Sequence, residues 1–583
     1  MSSAPMPEKN KSSLLLTLGA AGLLIGGGVA TYWLLTQRNG LQENMPVGAN
    51  IIPQDALLTV SVSTDSGQWQ QLRSFGTPQT QAELDKNIVQ LRDRFLTPNG
   101  YNYQQDIQPW VGNEVTIAFL SPQINTPPTN STPNSPLPAA SDKEPVVVVL
   151  PIKNPGVAKQ ILEKPKPLKQ GKWIDRSYKG VQIKETQGAP SENYSAAVLD
   201  GRFLVVSDNP KATERAIDTY TGGASLAKIP GYTQSLSKIE SNQPLGRIFV
   251  NVPVAATVAA RNPGRSVAPQ NLAQLQQNQG LATTITLEPE GMRFKSISWL
   301  QPNSQRVHLV ENKAGRMQSR LPAQTLMMLS GGNLQRLWQD YVQGAQSNPL
   351  TPVPPENLRE GVKSNTGLDL DRDLLSWMGG EFSLSLIPAT PKQGSPEDFA
   401  LSLVFMVQTN DRKSAEQSLQ QLDQVMSRQY QFQVQQAKVA NQPVVKWISP
   451  YGTLTATRGW LDGDVAFLIL GAPIADTIVP KPATTLASTE QFQKTVPSEL
   501  NPNNGQFFLD VGPTVKTLPL PQFFPGQQIL LDAMRLIGVT TAVSDERSIR
   551  YDVFVALKKA GQPNPLPSPG SSPTPEASPT SSP

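Results

Sequence analysis

The chain has 583 residues, too many for one hydrophobic core, because cores stop growing near ~250–300 residues and longer chains divide. Only 16% of residues are charged against a usual ~25%, 54 are proline, and the formal charge is +4, which supplies no phosphate-neutralising stripe and argues against nucleic-acid binding. No cysteine is present, which excludes disulfides, thiolate nucleophiles, cysteine zinc sites, iron–sulfur clusters and an acylated lipobox cysteine.

In chain order, residues 1–13 bear Lys9 and Lys11 and lead into LLLTLGAAGLLIGGGVATYWLL, residues 14–35, which holds no charged side chain. At about 1.5 Å per helical residue this stretch reaches across the ~30 Å of hydrocarbon in a bilayer. A cleaved signal peptide has a shorter apolar run of ~7–15 residues closed by an Ala-x-Ala-like site. Here the run ends in Tyr32 and Trp33, which suit the far interface. An uncleaved transmembrane signal anchor is therefore favoured over a cleaved peptide. Its two preceding lysines outweigh Arg38, so 1–13 are expected in the cytoplasm and everything beyond about residue 45 outside it. Gly22, Gly26 and Ala30 share one helix face and offer a dimerisation seam, although small residues are common in membrane helices generally.

The remainder is written twice. DIQPWVGNEVTIAF from Asp106 returns as DLLSWMGGEFSLSL from Asp373. Upstream, Pro53 and Trp69 match Pro322 and Trp338 at one spacing, and Gly100 matches Gly367. Downstream, Asp200 matches Asp462, GRIFVNVP matches GQFFLDVG, and GLATTITLEPEGMRFKSISWL matches GVTTAVSDERSIRYDVFVALKK. Two copies this long make a tandem pair, not a solenoid, whose repeats run ~20–50 residues. The expectation is two homologous domains, 45–301 and 315–560, each with its own core. The Pro-rich insert 121–145 and the Pro/Ser-rich tail 561–583 have no apolar period and read as disordered.

Within a copy, Asn102 or Asp369 caps a helix. Its apolar residues Tyr103, Ile107 and Trp110, or Leu370, Leu374 and Trp377, fall on one face at i, i+4 and i+7. Gly112 and Gly379 stand where a helix end favours positive φ. Glu114 and Glu381 then open half-buried strands in which Val115, Ile117 and Phe119, or Phe382, Leu384 and Leu386, face one way. Asp200-Gly201 and Asp462-Gly463, flanked by alternating β-formers, predict type I′ hairpins. VVVVLPI and FALSLVFMV read as central strands, NPKATERAIDTY and NDRKSAEQSLQQLDQVMSRQ as helices. The expected class is α+β: an N-terminal transmembrane helix, then two tandem domains, each a mainly antiparallel sheet with helices on one face.

Chemistry is sparse. The single histidine, His308, lies between the copies and has no cysteine to share a zinc ion with. Asp369, Asp371 and Asp373 imitate the start of a calcium loop. Leu374 stands where that loop needs glycine, Gly380 where it needs glutamate, and helix capping accounts for the residues better. Ser235 and Lys238 have the spacing of a Ser-Lys dyad, but copy two has no matching pair. Glu114 and Glu381 are the only carboxylates placed alike beside Trp and Gly in both copies; facing one another they would make an acid/base pair, while the plainer role is to anchor a strand edge. No metal or cofactor is expected.

The anchor, the opening PQDALLTVSV at Pro53, and the block G-φ-[N/D]-φ-x-x-D-φ-x-x-W-φ-G-x-E, carrying Asp106, Trp110, Gly112, Glu114 and their counterparts Asp373, Trp377, Gly379, Glu381, resemble a family of single-pass bacterial proteins, frequent in cyanobacteria, known as a domain of unknown function. The resemblance covers about residues 50 to 557. It implies a membrane-anchored extracytoplasmic body and brings no activity and no functional residue. The leading expectation is a non-enzymatic tethered binding or scaffold protein of the periplasm or thylakoid lumen, with envelope or thylakoid membrane proteins as partners. The alternatives are a carrier or chaperone for an apolar ligand (lipid, pigment or quinone) and a hydrolase using Glu114 and Glu381.

Overall fold

The computed structural model describes residues 45–95, 101–122, 144–163, 165–167, 171–188, 194–260, 276–345, 353–389, 401–450, 455–518, 528–563 and 565–566. Residues 1–13, the stretch 14–35 with Gly22, Gly26 and Ala30, and most of 121–145 and of 561–583 lie outside the described residues. Among the described residues no helix is long and apolar enough to cross a membrane.

One compact unit takes in the described residues up to Ala259, with Gly280–Leu287 and those from Lys559; the other contains Glu288–Lys558 and the described residues just before Gly280. The first unit holds β1 (Ala56–Ser63), β2 (Glu114–Leu120), β3 (Val146–Pro151), β4 (Lys172–Tyr178), β5 (Val181–Gln187), β6 (Ser195–Leu199), β7 (Phe203–Ser207), β8 (Gly246–Asn251) and most of β9 (Asn278–Glu288). Its strands pair antiparallel in the order β4-β5-β6-β7-β3-β2-β1-β8-β9. The second holds β10 (Gly291–Leu300), β11 (Met327–Gly331), β12 (Phe382–Pro388), β13 (Leu401–Gln408), β14 (Gln433–Val439), β15 (Gln442–Ile448), β16 (Thr455–Leu461), β17 (Val465–Gly471), β18 (Gly505–Asp510), β19 (Met534–Asp545) and β20 (Ser548–Leu557). Its order is β10-β20-β19-β18-β11-β12-β13-β17-β16-β15-β14. Strands β1–β9 and β11–β19 thus share one connectivity.

The twenty strands belong to one hydrogen-bonded sheet. This corrects the expected class, two tandem domains with separate sheets behind a transmembrane helix. The physical reason is visible at β10. It belongs to the first sequence copy, yet it pairs along its length with β20 of the second, Lys295 opposite Asp552, in the same compact unit. An exposed edge strand is a row of unmet backbone donors and acceptors, and that pairing satisfies them. Arg293 adds a fork onto buried Asp552 (2.8 Å from Nε), and Lys295 reaches Glu499 at 2.6 Å.

Local chemistry sets the turns. Asp200 (φ 47°) with Gly201 (65°), and Asp462 (48°) with Gly463 (83°), have the paired positive φ of a type I′ turn, so β6–β7 and β16–β17 close as tight hairpins. Helix Pro210–Tyr220 is capped by Asn209 and helix Arg412–Arg428 by Asp411.

Both faces of the sheet carry apolar side chains. One side mixes buried hydroxyls, Thr59, Ser61 and Thr116 in the first unit and Ser330, Ser383, Ser385 and Ser402 in the second, all at most 3% exposed, with large core residues such as Met328, Val404, Met406, Phe467 and Phe508. A second apolar set points the other way. In the second unit two ladders cross the sheet, Val553-Val539-Phe507-Leu329-Leu384-Phe405-Leu468 and Ile537-Leu509-Met327-Leu386-Leu403-Leu470. Most of these side chains are half-buried, with Leu329 40% and Leu470 36% exposed. The first unit repeats the arrangement with Ile248-Val60-Ile117-Val148-Val206-Ala196. Close approach of the covering layer explains the smallest residues: a Cβ on Gly538 would lie 2.1 Å from Thr495 O at the end of helix Glu490–Thr495, and Ser402 donates to Ala472 O at 3.0 Å. Helices flank both faces, not one: Glu490–Thr495 lies over Gly538, while Arg412–Arg428 packs Leu422 and Met426 against Leu468 of the ladder.

Candidate functional site

The repeated block is structural in each unit. Asn102 Oδ1 accepts from Gln105 N–H (3.2 Å) and Asp106 Oδ2 accepts from Asn102 N–H (2.6 Å); Asp369 and Asp373 repeat this at 2.9 and 2.8 Å. This reciprocal cap is the reason an aspartate stands four residues after the cap. The element it starts is a single π-helical turn, Tyr103–Ile107 and Leu370–Leu374, not the expected α-helix. The indole N–H of Trp110 donates to Asp106 O (2.6 Å) and that of Trp377 to Asp373 O (3.3 Å), and both rings are buried. Neither Gly112 nor Gly379 has positive φ, which corrects the reading of both as helix stops. A Cβ would lie 2.8 Å from Pro151 Cγ at Gly112 and 2.6 Å from the end of the Asn410 side chain at Gly379.

The two glutamates are committed within their own units. Glu114 forms an ion pair with Arg247 and accepts from Val47 N–H (3.3 Å). Buried Glu381 accepts three successive backbone N–H bonds from Gly315, Arg316 and Met317 at 2.8, 2.7 and 3.1 Å, filling a small anion nest. A polar hollow of about 440 Å³ borders Gly379, Gly380 and Glu381. The three aspartates of the calcium-like run diverge: Asp369 caps, Asp371 holds Arg359 (2.6 Å) and Trp338 Nε1 (2.6 Å), and Asp373 accepts from Asp369.

The site with room for a ligand was not singled out by its sequence. In the first unit the apolar ladder runs on through Val206 and Ala196 to Lys184, and there it floors a cavity of about 780 Å³. Ala196 and Val198 of β6 and Leu204 of β7 lie along its base; helix Pro155–Glu163 borders it through Pro155 and Ala158; Val181, Ile152 and Tyr220 complete the wall. Val198 is 36% exposed. The volume is in the ~300–1,000 Å³ range of small-molecule sites.

The corresponding place in the second unit is filled. Counted back from the two Asp-Gly turns, Arg458 stands for Ala196 and Trp460 for Val198. Arg458 Nε donates to Asp423 (2.8 Å), which also accepts from Trp447 Nε1 (2.7 Å), and the Arg412 guanidinium lies 4.2 Å over the Trp460 ring. Leu422 and Met426 of the bordering helix pack against Val445 and Trp447. One framework is therefore open in one unit and packed in the other. The sequence signal was an alanine and a valine set against an arginine and a tryptophan at fixed distance from matching turns.

A family model described as Protein of unknown function (DUF3352) matches residues 17–557. The chain belongs to that family. No curated protein matches the chain. Among solved structures, crystal form I of TP0453 aligns at 8% identity over 45% of this chain and 81% of that one, and crystal form III at 9% identity over 46% and 89%, each with a TM-score of 0.24. Likenesses that slight carry no argument, so a functional reading of this DUF3352 member rests on its own geometry.

Proposed function

We propose that the protein is a non-enzymatic, membrane-tethered binding protein that carries an apolar small molecule, a lipid, pigment or quinone, in the cavity of its first unit. The observation that carries this reading is the asymmetry at β6: about 780 Å³ is open over Ala196 and Val198, where the second unit places Arg458 and Trp460. A hollow on an apolar face that packing could close, and closes once in the same chain, is a place kept for a ligand. The tether is the apolar stretch 14–35, which holds the body on the outer side of a membrane, in periplasm or thylakoid lumen. The shared connectivity of β1–β9 and β11–β19 is read as a duplication in which one copy kept the cavity.

A scaffold role has its own support. Val307, Leu309 and Val310 are 51%, 55% and 57% exposed in one short run, the kind of patch that meets envelope or thylakoid proteins. The hydrolase reading draws none, because Glu114 and Glu381 are each held as acceptors by partners in their own unit.

The test is native mass spectrometry and solvent extraction of the full chain and of Val198→Trp. A stoichiometric mass excess in the wild type that extracts as a lipid, pigment or quinone and is missing from the variant is expected. A ligand-free wild type, or equal loading of both, refutes the carrier reading.

A further inference from the structure

We infer that the polar hollow beside Glu381 in the second unit receives a guanidinium group, at a site separate from the cavity of the first unit. The chain itself holds the precedent. In the first unit Arg247 stands opposite Ser61, which stands opposite Thr116, and the arginine reaches across this row to pair with Glu114, two residues before Thr116. The second unit repeats the row with Gln506, Ser330 and Ser383, and Glu381 lies two residues before Ser383. Thr284 beside Arg247 likewise returns as Thr540 beside Gln506. The carboxylate is kept, and the arginine that would answer it is replaced by an amide.

The groups around Glu381 are short of donors. Three backbone N–H groups share its Oε1, while Oε2 takes no hydrogen bond among the described residues, although Glu381 is only 3% exposed. Gln506 Oε1 is buried without a partner, and so are Gln318 Oε1 and Asn503 Oδ1. The last two amides approach Gly315, whose N–H binds Glu381: a Cβ there would lie 3.6 Å from Asn503 Nδ2 and 3.8 Å from Gln318 Nε2. A guanidinium carries donors and no acceptor, the complement of this set. Charge points the same way. Glu311, Lys313, Arg316 and Glu381 border the hollow of about 440 Å³. Lys313 Nζ is paired with Glu311 at 2.9 Å, and Arg316 is exposed and makes no ion pair with Glu381. The buried carboxylate is thus the anion of the hollow that no described cation meets, and a buried charge is costly until one does.

The experiment is saturation-transfer difference NMR on the full chain in detergent, with N-acetyl-arginine amide, its uncharged citrulline counterpart and free arginine as probes. The expected result is binding of N-acetyl-arginine amide, with the citrulline compound weaker by about tenfold, since a charged donor bonds a carboxylate about twice as strongly as a neutral one. Gln506→Arg, which installs the first unit's residue in the same row, should abolish the signal from within the fold. Glu381→Gln should abolish it as well while leaving an oxygen for the three N–H groups. Free arginine binding as well as the blocked form supports the site with a small-molecule source, and binding of the blocked form alone supports it with a polypeptide one. No binding to the wild type leaves a hydrated hollow only and overturns the inference. Equal binding of the citrulline compound, or a signal undiminished in a folded Gln506→Arg or Glu381→Gln variant, overturns it too.

Discussion

Tyr232→Phe should make the protein more stable. Tyr232 lies in helix Tyr232–Ser237, fully buried, with its ring edge-on to Phe249 at 4.9 Å between centroids, and its hydroxyl has no hydrogen-bond partner. The second unit makes the same aromatic contact with Phe492 against Phe508, 5.7 Å apart, and without a hydroxyl. A buried, unpaired hydroxyl costs ~1–3 kcal/mol. Deleting one oxygen leaves a void of about 10 Å³, worth ~0.2 kcal/mol at ~24 cal/mol per Å³. The net gain is then about 1–3 kcal/mol, or about 2–12 °C in Tm for a unit of this size. Burial, and after it the nearby Glu114 charge, push the phenol well above its ordinary value of 10.0. A folded pKa raised in this way leaves stability intact below about pH 10 and erodes it above, as the unfolded phenol ionises. The variant's advantage should therefore be flat through neutral pH and widen in alkali. Urea unfolding of both proteins, with the slopes compared to confirm an unchanged denatured state, reads the difference. A variant less stable than wild type, or one whose advantage shrinks in alkali, would refute the reasoning.

Three further outcomes follow from named contacts. His308, the lone histidine, is held below its ordinary value of 6.5 by burial and by Arg306, with Arg336 acting the same way and Asp340 and Asp545 against them. The unfolded chain then binds the extra proton first, so stability should fall as pH drops below about 6.5; His308→Gln should flatten that limb in urea titrations from about pH 7 to 5, and parallel curves would sink the account. Gly538→Ala should cost ~1–3 kcal/mol or more, because its Cβ meets the Thr495 carbonyl, while Gly379→Ala should cost less, because it meets the end of a movable Asn410 side chain; paired thermal melts decide the ranking. Asp369→Ala should lose about 1 kcal/mol with its cap, and Asp371→Ala less, since that carboxylate is 44% exposed in its pair with Arg359; equal losses by chemical denaturation would contradict the capping assignment.

What the sequence made legible is what neighbouring residues decide among themselves. Asp-Gly between alternating β-formers specified two type I′ turns because both positive φ values are local demands, and Asn209 and Asp411 marked their helices for the same reason. One error arose where a distant segment decides. The partner of β10 is not written in its alternation, since any edge of matching length satisfies the same donors, and the strand went to β20. Leu384 and Leu386 share one face with Phe382, as their alternation predicts, and both faces are covered: Phe382 packs with Trp377 and Val407 on one, and Ser383 and Ser385 stand beside Met328 and Val404 on the other.

Incomplete cover bears on the carrier reading. A sheet with apolar side chains on both faces needs cover on both, and Leu329 and Leu470 remain more than a third exposed. The second unit covers the far end of its ladder with Leu422, Met426 and Trp447 and locks the lid with Asp423 between Trp447 and Arg458. In the first unit the bordering helix is shorter, Pro155–Glu163 against Arg412–Arg428, and the strand positions beneath it hold Ala196 and Val198. The same two positions thus set both the lining and the size of the hollow. If the hollow were a packing defect, Val198→Trp would only add stability, as filling voids does. If it is a cargo site, the same substitution adds stability and at the same time abolishes loading of an extractable apolar molecule, and that second readout separates the two.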